Sequence, residues 1–301
     1  MCAVAERYRE AWAARLLPVG TTHDLVSLIT DKVEFLSRAV DHGIRVPSQL
    51  RFESVGDLRR SAKDLAYPLV LKLPESMAGS GVRLARSAED LDLQASELEN
   101  MTLPVIVQAY LTGDHGSSEV LFEHGRPIAW INGIHTEFWP NPLAASCVRE
   151  LIELPEAEDL LRKLGAMTGY HGLAGVDWIR DEAAGRLCFI ELNPRPAQCY
   201  HLGPRAGVDF ARAFRELLAG GPVTVQRPRQ PDPKRALVYQ FPQYCYRAIG
   251  DRAWLRLIRA LPDAPWDDPW LVAALVRRVL THFLPASLRA LLRQLAGRPR
   301  G

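Results

Sequence analysis

The sequence predicts an α+β protein in which helices alternate with largely antiparallel strands. Three observations support this class. Amphipathic helical patterns recur along the chain, short apolar strands lie between them, and two pairs of strands are joined by glycine-containing turns. The chain has 301 residues, of which 48% are apolar and 24% charged, so it has an ordinary globular composition and can form a sizeable core.

Charge and cysteine content exclude several classes of protein. The formal net charge is only +2, so we expect no nucleic-acid partner. The five cysteines are scattered and form no CxxC pair, which argues against a zinc site or a disulfide framework and favours a reducing cytoplasm. No apolar stretch is long enough for a signal peptide or a membrane span, and the first 21 residues are expected to form a short surface helix.

The first half of the chain predicts three helices and several short strands. Thr30 or Asp31 caps the first helix and Gly43 ends it, while Ser87 opens a capping box for the third. In order, the expected elements are a helix over 31–43, a helix near 57–66, a strand in YPLVLKL, the small-residue loop ESMAGSG, a strand in VRLAR and a helix over 88–100.

The second half predicts two hairpins and further helices. The first hairpin turns at His124-Gly125, and the second joins the strands GLAGVDWIRD and RLCFIELN. The other expected elements are a buried strand over 104–111, helices over 156–168 and 207–219, a proline-rich linker from 222, and two C-terminal helices divided by Pro285.

The motif with the clearest chemistry is GVDWIRDEAAGRLCFIELNPRP. If Ala183–Gly185 is a three-residue loop with positive φ at its glycine, Asp177 faces Glu191 on the neighbouring strand, and Asn193 shares the same face. Two facing carboxylates repel each other, so we expect a cation between them, and hard oxygen ligands suit Mg²⁺. The alternative is a solvated strand face on which an arginine neutralises the acids.

These residues resemble the ATP-grasp superfamily. The resemblance is carried by GVDWI…FIELNPRP, by the lysine in YPLVLKL and by the loop ESMAGSGV, all after a helix that begins with DK, and it covers about residues 22–220. It implies the ATP-grasp fold, in which two α+β subdomains clamp a nucleotide. The implied division is an N-terminal helix over 1–21, a lid subdomain over 22–103, a metal and nucleotide subdomain over 104–221, and a linker with a basic helical extension over 222–301.

The resemblance also implies ATP and Mg²⁺ as cofactors, with two metal ions expected and Mn²⁺ as an alternative. Asp177, Glu191 and Asn193 would hold the metal, while Lys72 and Arg195 would act as catalytic residues by offsetting phosphate charge. The residues implied in nucleotide binding are Lys32, Lys72, Ser76, Gly79, Ser80, Gly81, Gln108, Ala109, Tyr110, Leu111 and Asp114.

Some positions depart from the family pattern or stay open. Gln108 begins the adenine hinge, where the family usually has an acidic residue. Asp114 is our choice for the ribose hydroxyls, although His115 occupies the strict spacing and Glu119 is an alternative. The remaining polar candidates near the site are His135, Arg149 and His171, and residues near the motifs that could line a substrate site are Trp139, Tyr200, His201 and Arg205.

By resemblance, the function is that of an ADP-forming ligase, which activates a carboxylate as an acyl phosphate for attack by an amine on a small molecule or peptide. A non-catalytic ATP-binding subunit or sensor, and a carboxylase-like enzyme using bicarbonate, are alternatives. Few residues precede the DK helix, so we expect the family's N-terminal domain to be absent, reduced or supplied by another chain. A homodimer is left open.

The C-terminal segment is basic and amphipathic. From residue 269 onward it contains six arginines and no acidic residue. One interpretation of 265–301 is an interfacial membrane anchor, with its arginines on anionic lipid. The other, which we favour, is a helical subdomain packed on the core or a docking face for a protein partner.

Overall fold

A computed structural model describes residues 28–29, 31–72, 82–98, 105–142, 144–285 and 288. The expected N-terminal helix, the small-residue loop with Ser76, Gly79, Ser80 and Gly81, and the helix after Pro285 lie outside these residues. The helices are α1 (Lys32–Asp41), α2 (Val55–Ser61), α3 (Ala88–Leu98), α4 (Pro155–Thr168), α5 (Phe210–Ala219), α6 (Pro233–Ala236), α7 (Gln243–Gly250) and α8 (Pro269–His282).

The strands form two antiparallel sheets, which confirms the predicted α+β class. The smaller sheet has the order β1-β4-β2-β3 and the larger has the order β10-β7-β6-β5-β8-β9. The strands are β1 (Gln49–Phe52), β2 (Leu69–Lys72), β3 (Val82–Ala85), β4 (Val105–Ala109), β5 (Gly113–Glu123), β6 (Arg126–Phe138), β7 (Ser146–Ile152), β8 (Gly172–Asp181), β9 (Arg186–Asn193) and β10 (Leu237–Tyr239).

The helix starts follow from their capping residues. The Asp31 carboxylate accepts hydrogen bonds from the backbone N–H groups of Val33 and Glu34 at 3.0 and 3.1 Å, so Asp31 rather than Thr30 caps α1. In the same way the Ser87 hydroxyl accepts from the Asp90 N–H at 3.2 Å at the start of α3. Local sequence therefore fixes where these two helices begin.

The two sheets divide the chain differently from the predicted boundaries. β4 lies inside the smaller sheet, between β1 and β2, so the change from one sheet to the other falls at 110–112 rather than at 103/104. Helix α1 was assigned to the lid, but its residues Phe35, Leu36 and Ala39 join the core beneath the larger sheet. The domain boundaries stay a prediction, while strand pairing and core packing, which are long-range, link these two elements to partners that sequence order does not indicate.

The segment after residue 222 is likewise more than a linker and an extension. Its strand β10 pairs with β7 and forms one edge of the larger sheet. Beyond it, α7, a 3₁₀ helix over Trp254–Asp263 and α8 pack together around Tyr244, Ala248, Ala260 and Val279. This C-terminal helical layer therefore rests on the sheet that carries the predicted metal site.

Large apolar side chains are exposed on the outer side of this layer. Leu255 is 89% and Trp270 is 87% exposed, and Trp254, Ile258 and Leu280 are also exposed. In the described part of the chain, no helix has both the length and the apolar character needed to cross a membrane. The proposed membrane or protein contact through 265–301 stays a prediction.

Candidate active site

The predicted carboxylate pair lies on neighbouring strands, with Asp177 of β8 directly opposite Glu191 of β9. Asn193 follows on the same face, and its side-chain Nδ2 donates a hydrogen bond to Asp177 Oδ2 at 2.9 Å. Two acids and an amide therefore meet in one patch of the larger sheet.

The turn that produces this pairing is longer than we predicted. It comprises four residues, Glu182 to Gly185, because Asp181 pairs with Arg186, and Gly185 has the expected positive φ of 61°. The Asp181 carboxylate accepts from the Ala183 N–H at 3.1 Å, which starts the turn early. The longer turn shifts the pairing of β8 and β9 by one residue, and an irregularity between Asp177 and Trp178 shifts it back. Asp177 therefore still lies opposite Glu191, as predicted.

The charge on this patch is only partly balanced. Burial, followed by the nearby carboxylates of Glu191 and Glu119, raises the pKa of Asp177 to about 7. Lys32, at the start of α1, forms an ion pair with Glu191 at 3.3 Å. Among the described residues, the hydrogen-bond donor to the Asp177 carboxylate is the neutral amide of Asn193. A cation at this position would therefore relieve a like-charge repulsion.

The donor set fits a hard divalent cation. Asp177, Glu191 and Asn193 offer oxygen atoms only, which is the chemistry that Mg²⁺ prefers. Across the described ranges, no group of three or more His, Cys, Asp or Glu side chains could hold a metal ion. The candidate site therefore depends on the asparagine as its third oxygen donor.

Lys72 approaches this patch from the other sheet, at the end of β2. Burial lowers the pKa of Lys72 to about 8, while the carboxylates of Glu191 and Asp177 act in the opposite direction. Lys72 is thus close enough to both acids to interact with their charges. The two sheets therefore converge on one charged site, as the prediction for Lys72 requires.

A second ionic group lies on the same face of the larger sheet. Arg149 Nη1 contacts Glu119 Oε2 at 2.6 Å, and their side chains are only 7% and 2% exposed. Arg149 Nη2 donates to His135 Nε2 at 3.2 Å, and the Ser117 hydroxyl donates to Glu119 Oε1 at 3.1 Å. Burial, then the charge of Arg149, holds the pKa of His135 well below its usual value, so His135 is neutral.

The guanidinium of Arg149 also has one N–H donor that is not used by the described residues. Its Nε is buried and has no hydrogen-bond partner among the described residues. The sequence names Arg149 and Glu119 as candidates but does not predict their ion pair. That ion pair depends on strand pairing across β5, β6 and β7, which places Arg149 opposite His135. The available signal was alternation, which places His115, Ser117 and Glu119 on one face of β5.

The predicted adenine hinge leaves the smaller sheet at Gln108-Ala109-Tyr110-Leu111. The backbone N–H groups of Ala109 and Tyr110 donate to the carbonyls of Ser48 and Pro68 at 2.9 and 3.2 Å. The Leu111 N–H donates to no described residue. Gln108 is buried, and its amide nitrogen has no partner within the described ranges. Free donors at this point are compatible with a bound base.

Other candidates lie farther from the acids or are already engaged. Asp114 is exposed and accepts from Arg180 Nη2 at 2.7 Å, and Arg195 is exposed on the segment after β9. His171 stacks on His124 at the far turn of β5 and β6, 4.3 Å between ring centroids. Tyr200 donates its hydroxyl to the Ala174 carbonyl at 2.8 Å.

Comparison with known proteins agrees with this architecture. A family model described as an ATP-grasp domain matches residues 29–198. The arginine-specific large chain of carbamoyl phosphate synthase from Geobacillus stearothermophilus is 22% identical over 214 residues, which are 67% of this chain and 20% of that protein. This chain therefore spans about a fifth of the length of that relative.

Two solved structures show the same fold. The biotin carboxylase domain of 2-oxoglutarate carboxylase from Hydrogenobacter thermophilus, solved with MgADP and bicarbonate, has a TM-score of 0.55 at 20% identity and covers 69% of this chain and 49% of its own. The ATP-grasp ligase PsnB, complexed with a minimal precursor, has a TM-score of 0.53 at 25% identity and covers 72% of this chain and 68% of its own.

The chain belongs to the ATP-grasp family, because the family model covers more than half of it. Its fold is the ATP-grasp fold, with one four-stranded and one six-stranded sheet and a helical C-terminal layer. Enzymes of this family bind ATP with magnesium.

Proposed function

We propose that this protein is an ATP-dependent ligase that activates a carboxylate as an acyl phosphate, which an amine then attacks to form a C–N bond. The observation that carries the proposal is the convergence of Asp177, Glu191 and Asn193 with Lys72 from the opposite sheet. Such an arrangement suits phosphoryl transfer, in which placement and charge neutralisation supply most of the catalysis.

In this proposal, separate groups of residues bind the metal, the phosphates and the adenine. Asp177, Glu191 and Asn193 would hold magnesium, two ions in our proposal, which supplies positive charge against the triphosphate. Lys72 and Lys32 would offset phosphate charge from the side of the smaller sheet and of α1. The N–H of Leu111 would receive the adenine edge, and the loop with Ser76, Gly79, Ser80 and Gly81 would cover the phosphates.

Two arginines are candidates to meet the transferred phosphate. Arg195 is exposed just after β9, and its setting between Pro194 and Pro196 restricts the backbone around it. Arg149 is buried on the same sheet and is near enough to Asp177 for its charge to lower the pKa of that carboxyl, and its Nε–H has no partner among the described residues. We propose Arg195 as a catalytic residue, as the sequence suggested, and Arg149 as a further cation that acts from beneath the site.

The substrates belong to two classes in this proposal, a carboxylate and an amine, each on a small molecule or a peptide. PsnB, to which the chain is similar, is an ATP-grasp ligase that was solved with a minimal precursor, which supports the ligase class but not one of the two substrate alternatives over the other. The reaction would begin when a substrate carboxylate oxygen takes the γ-phosphoryl group and ADP leaves. It would end when the amine attacks the carbonyl carbon and phosphate leaves.

A single substitution tests the proposal. In Glu191→Gln we expect ATP turnover, measured as phosphate release with a panel of carboxylates and amines, to fall at least about 100-fold. Binding of ADP, measured by calorimetry, should be partly retained. Glu123→Gln is the matched control, because Glu123 pairs with Arg126 at the distant turn and should keep full activity.

Other outcomes would replace the proposal. ADP binding without substrate-dependent phosphate release would favour the non-catalytic ATP-binding subunit or sensor. Phosphate release that depends on bicarbonate alone would favour a carboxylase-like enzyme.

A further inference from the structure

A cavity of about 450 Å³ lies between the larger sheet and the C-terminal helical layer. One wall comes from Trp139, which follows β6, and from Gln198, on the segment after β9. The opposite walls come from α7 and α8. The residues that matter for its chemistry are Trp139, Gln198, Tyr246, Leu275, Arg278 and His282. Its volume lies in the range of small-molecule sites.

Two of the segments that line the cavity continue from strands that carry residues of the candidate active site. Gln198 lies five residues beyond Asn193 on the same segment. Trp139 follows Phe138, whose ring centroid is 6.2 Å from that of His135 and 6.5 Å from that of His115. His115 in turn is close enough to Lys72 for the lysine charge, after burial, to lower the pKa of the histidine. The end of β6 that leads into the cavity wall therefore lies close to His115 and His135, and His115 is within range of the charge of Lys72.

The lining combines an apolar aromatic surface with one cation. The rings of Trp139 and Tyr246 stack at 5.7 Å with an interplanar angle of 21°, and His282 meets both rings edge-on. Leu275 adds an aliphatic side chain. Arg278 makes no ion pair with any residue that the structure describes, and a guanidinium is well suited to a carboxylate, which it can bind through two hydrogen bonds.

We propose that this cavity is the subsite for the amine substrate, and that it selects an aromatic or bulky aliphatic amino acid whose carboxylate is held by Arg278. The inference rests on the proposed ligase function and adds to it the class of the acceptor. The apolar side chain of that amino acid packs against Trp139, Tyr246 and Leu275. In this arrangement the C-terminal helical layer is part of the substrate site.

The test uses the full chain and four probes, L-phenylalanine, L-tryptophan, L-leucine and phenethylamine, with binding measured by saturation-transfer NMR in the presence of MgADP. At least one of the amino acids should bind the unmodified protein, while phenethylamine, which lacks the carboxylate, should bind much more weakly. In Arg278→Ala the affinity for that amino acid should fall about tenfold or more, and Arg278→Lys should retain part of it.

Arg277→Ala is the matched control, because Arg277 is adjacent on α8 and exposed like Arg278 but does not line the cavity. It should leave amino-acid binding unchanged, and all three variants should bind MgADP as the unmodified protein does. The subsite proposal is overturned if none of the amino acids binds, or if Arg278→Ala binds them as well as Arg277→Ala does. Failure of the unmodified protein to bind MgADP would instead overturn the ligase function.

Discussion

Two groups of charged side chains on the larger sheet differ in how completely their charges are balanced. On β5 and β7, Glu119 is neutralised by Arg149 at 2.6 Å, and both side chains are almost fully buried. On β8 and β9, Asp177 and Glu191 are both acidic, and within the described ranges a single ion pair, Lys32 with Glu191 at 3.3 Å, involves either of them. The first pair is complete within the protein, whereas the second needs a further cation.

The difference indicates that one sheet face carries both an ion pair that stabilises the fold and an acid pair that is suited to bind a cation. A buried arginine in an ion pair with a buried glutamate holds its strands in place, but the pair itself is costly to form. Burial opposes the charged guanidinium of Arg149, yet the Glu119 carboxylate more than offsets this and raises the pKa of Arg149. An acid pair that is not fully neutralised favours the binding of a cation instead, because a bound cation removes the repulsion between the two carboxylates.

Removing the cation from the complete pair should have the largest effect. In Arg149→Met, Glu119 stays buried without its partner, so we expect the free energy of unfolding to fall by about 3–5 kcal/mol. Chemical denaturation at pH 8 would measure this, and Arg149→Met combined with Glu119→Gln should recover part of the loss. A loss below about 1 kcal/mol, typical of a surface pair, would show that the two pairs do not differ in this way.

Substitution of the incomplete pair should change the pH dependence of stability. The pKa of Asp177 is raised from 3.8 to about 7, so the folded metal-free protein binds more protons than the unfolded chain between these values. Stability contributed by Asp177 is therefore lost as the pH rises from about 4 to 7, by up to about 4 kcal/mol. Asp177→Asn should remove this loss, which urea denaturation at several pH values would detect.

Magnesium provides the control for that experiment. Added Mg²⁺ should stabilise the unmodified protein above pH 7, where Asp177 is ionised, and should have little effect on Asp177→Asn. Because the two proteins share every other carboxylate, this difference would be due to Asp177. Equal pH profiles for the two proteins would contradict the view that this acid is left uncompensated.

The smallest effect is expected at a third, exposed pair on the same sheet. Asp114 accepts from Arg180 at 2.7 Å, and their side chains are 49% and 36% exposed. Asp114→Asn should therefore change the free energy of unfolding by less than about 1 kcal/mol. The same variant tests the ribose assignment, because loss of a charged hydrogen bond to a ribose hydroxyl should weaken ADP binding by about tenfold, measured by calorimetry.

Arg180→Ala separates the two roles of that pair. It removes the ion pair but leaves the carboxylate of Asp114 available. If both variants bind ADP as the unmodified protein does, the ribose hydroxyls are held elsewhere, and Glu119 is then the first alternative.

The sequence alone determined the local features of this protein. Helix starts at Asp31 and Ser87 follow from side chains that cap the backbone a few residues away. The positive φ at Gly185 and the alternation along β8 and β9 follow from local sequence and predict that Asp177, Glu191 and Asn193 share a patch, although the register itself also depends on the irregularity at Asp177 and Trp178. These features depend on interactions within about ten residues or across a single turn, so a sequence pattern contains them.

Only the tertiary structure decided how distant segments meet. The four-residue turn and its compensating irregularity depend on Asp181, which also pairs with Arg45 from a remote part of the chain. The place of β4 in the smaller sheet, the Arg149–Glu119 pair and the cavity beside Trp139 all join segments tens of residues apart. Local sequence allows many pairings of similar energy between distant segments. Burial and strand pairing across the whole fold decide which of these pairings form.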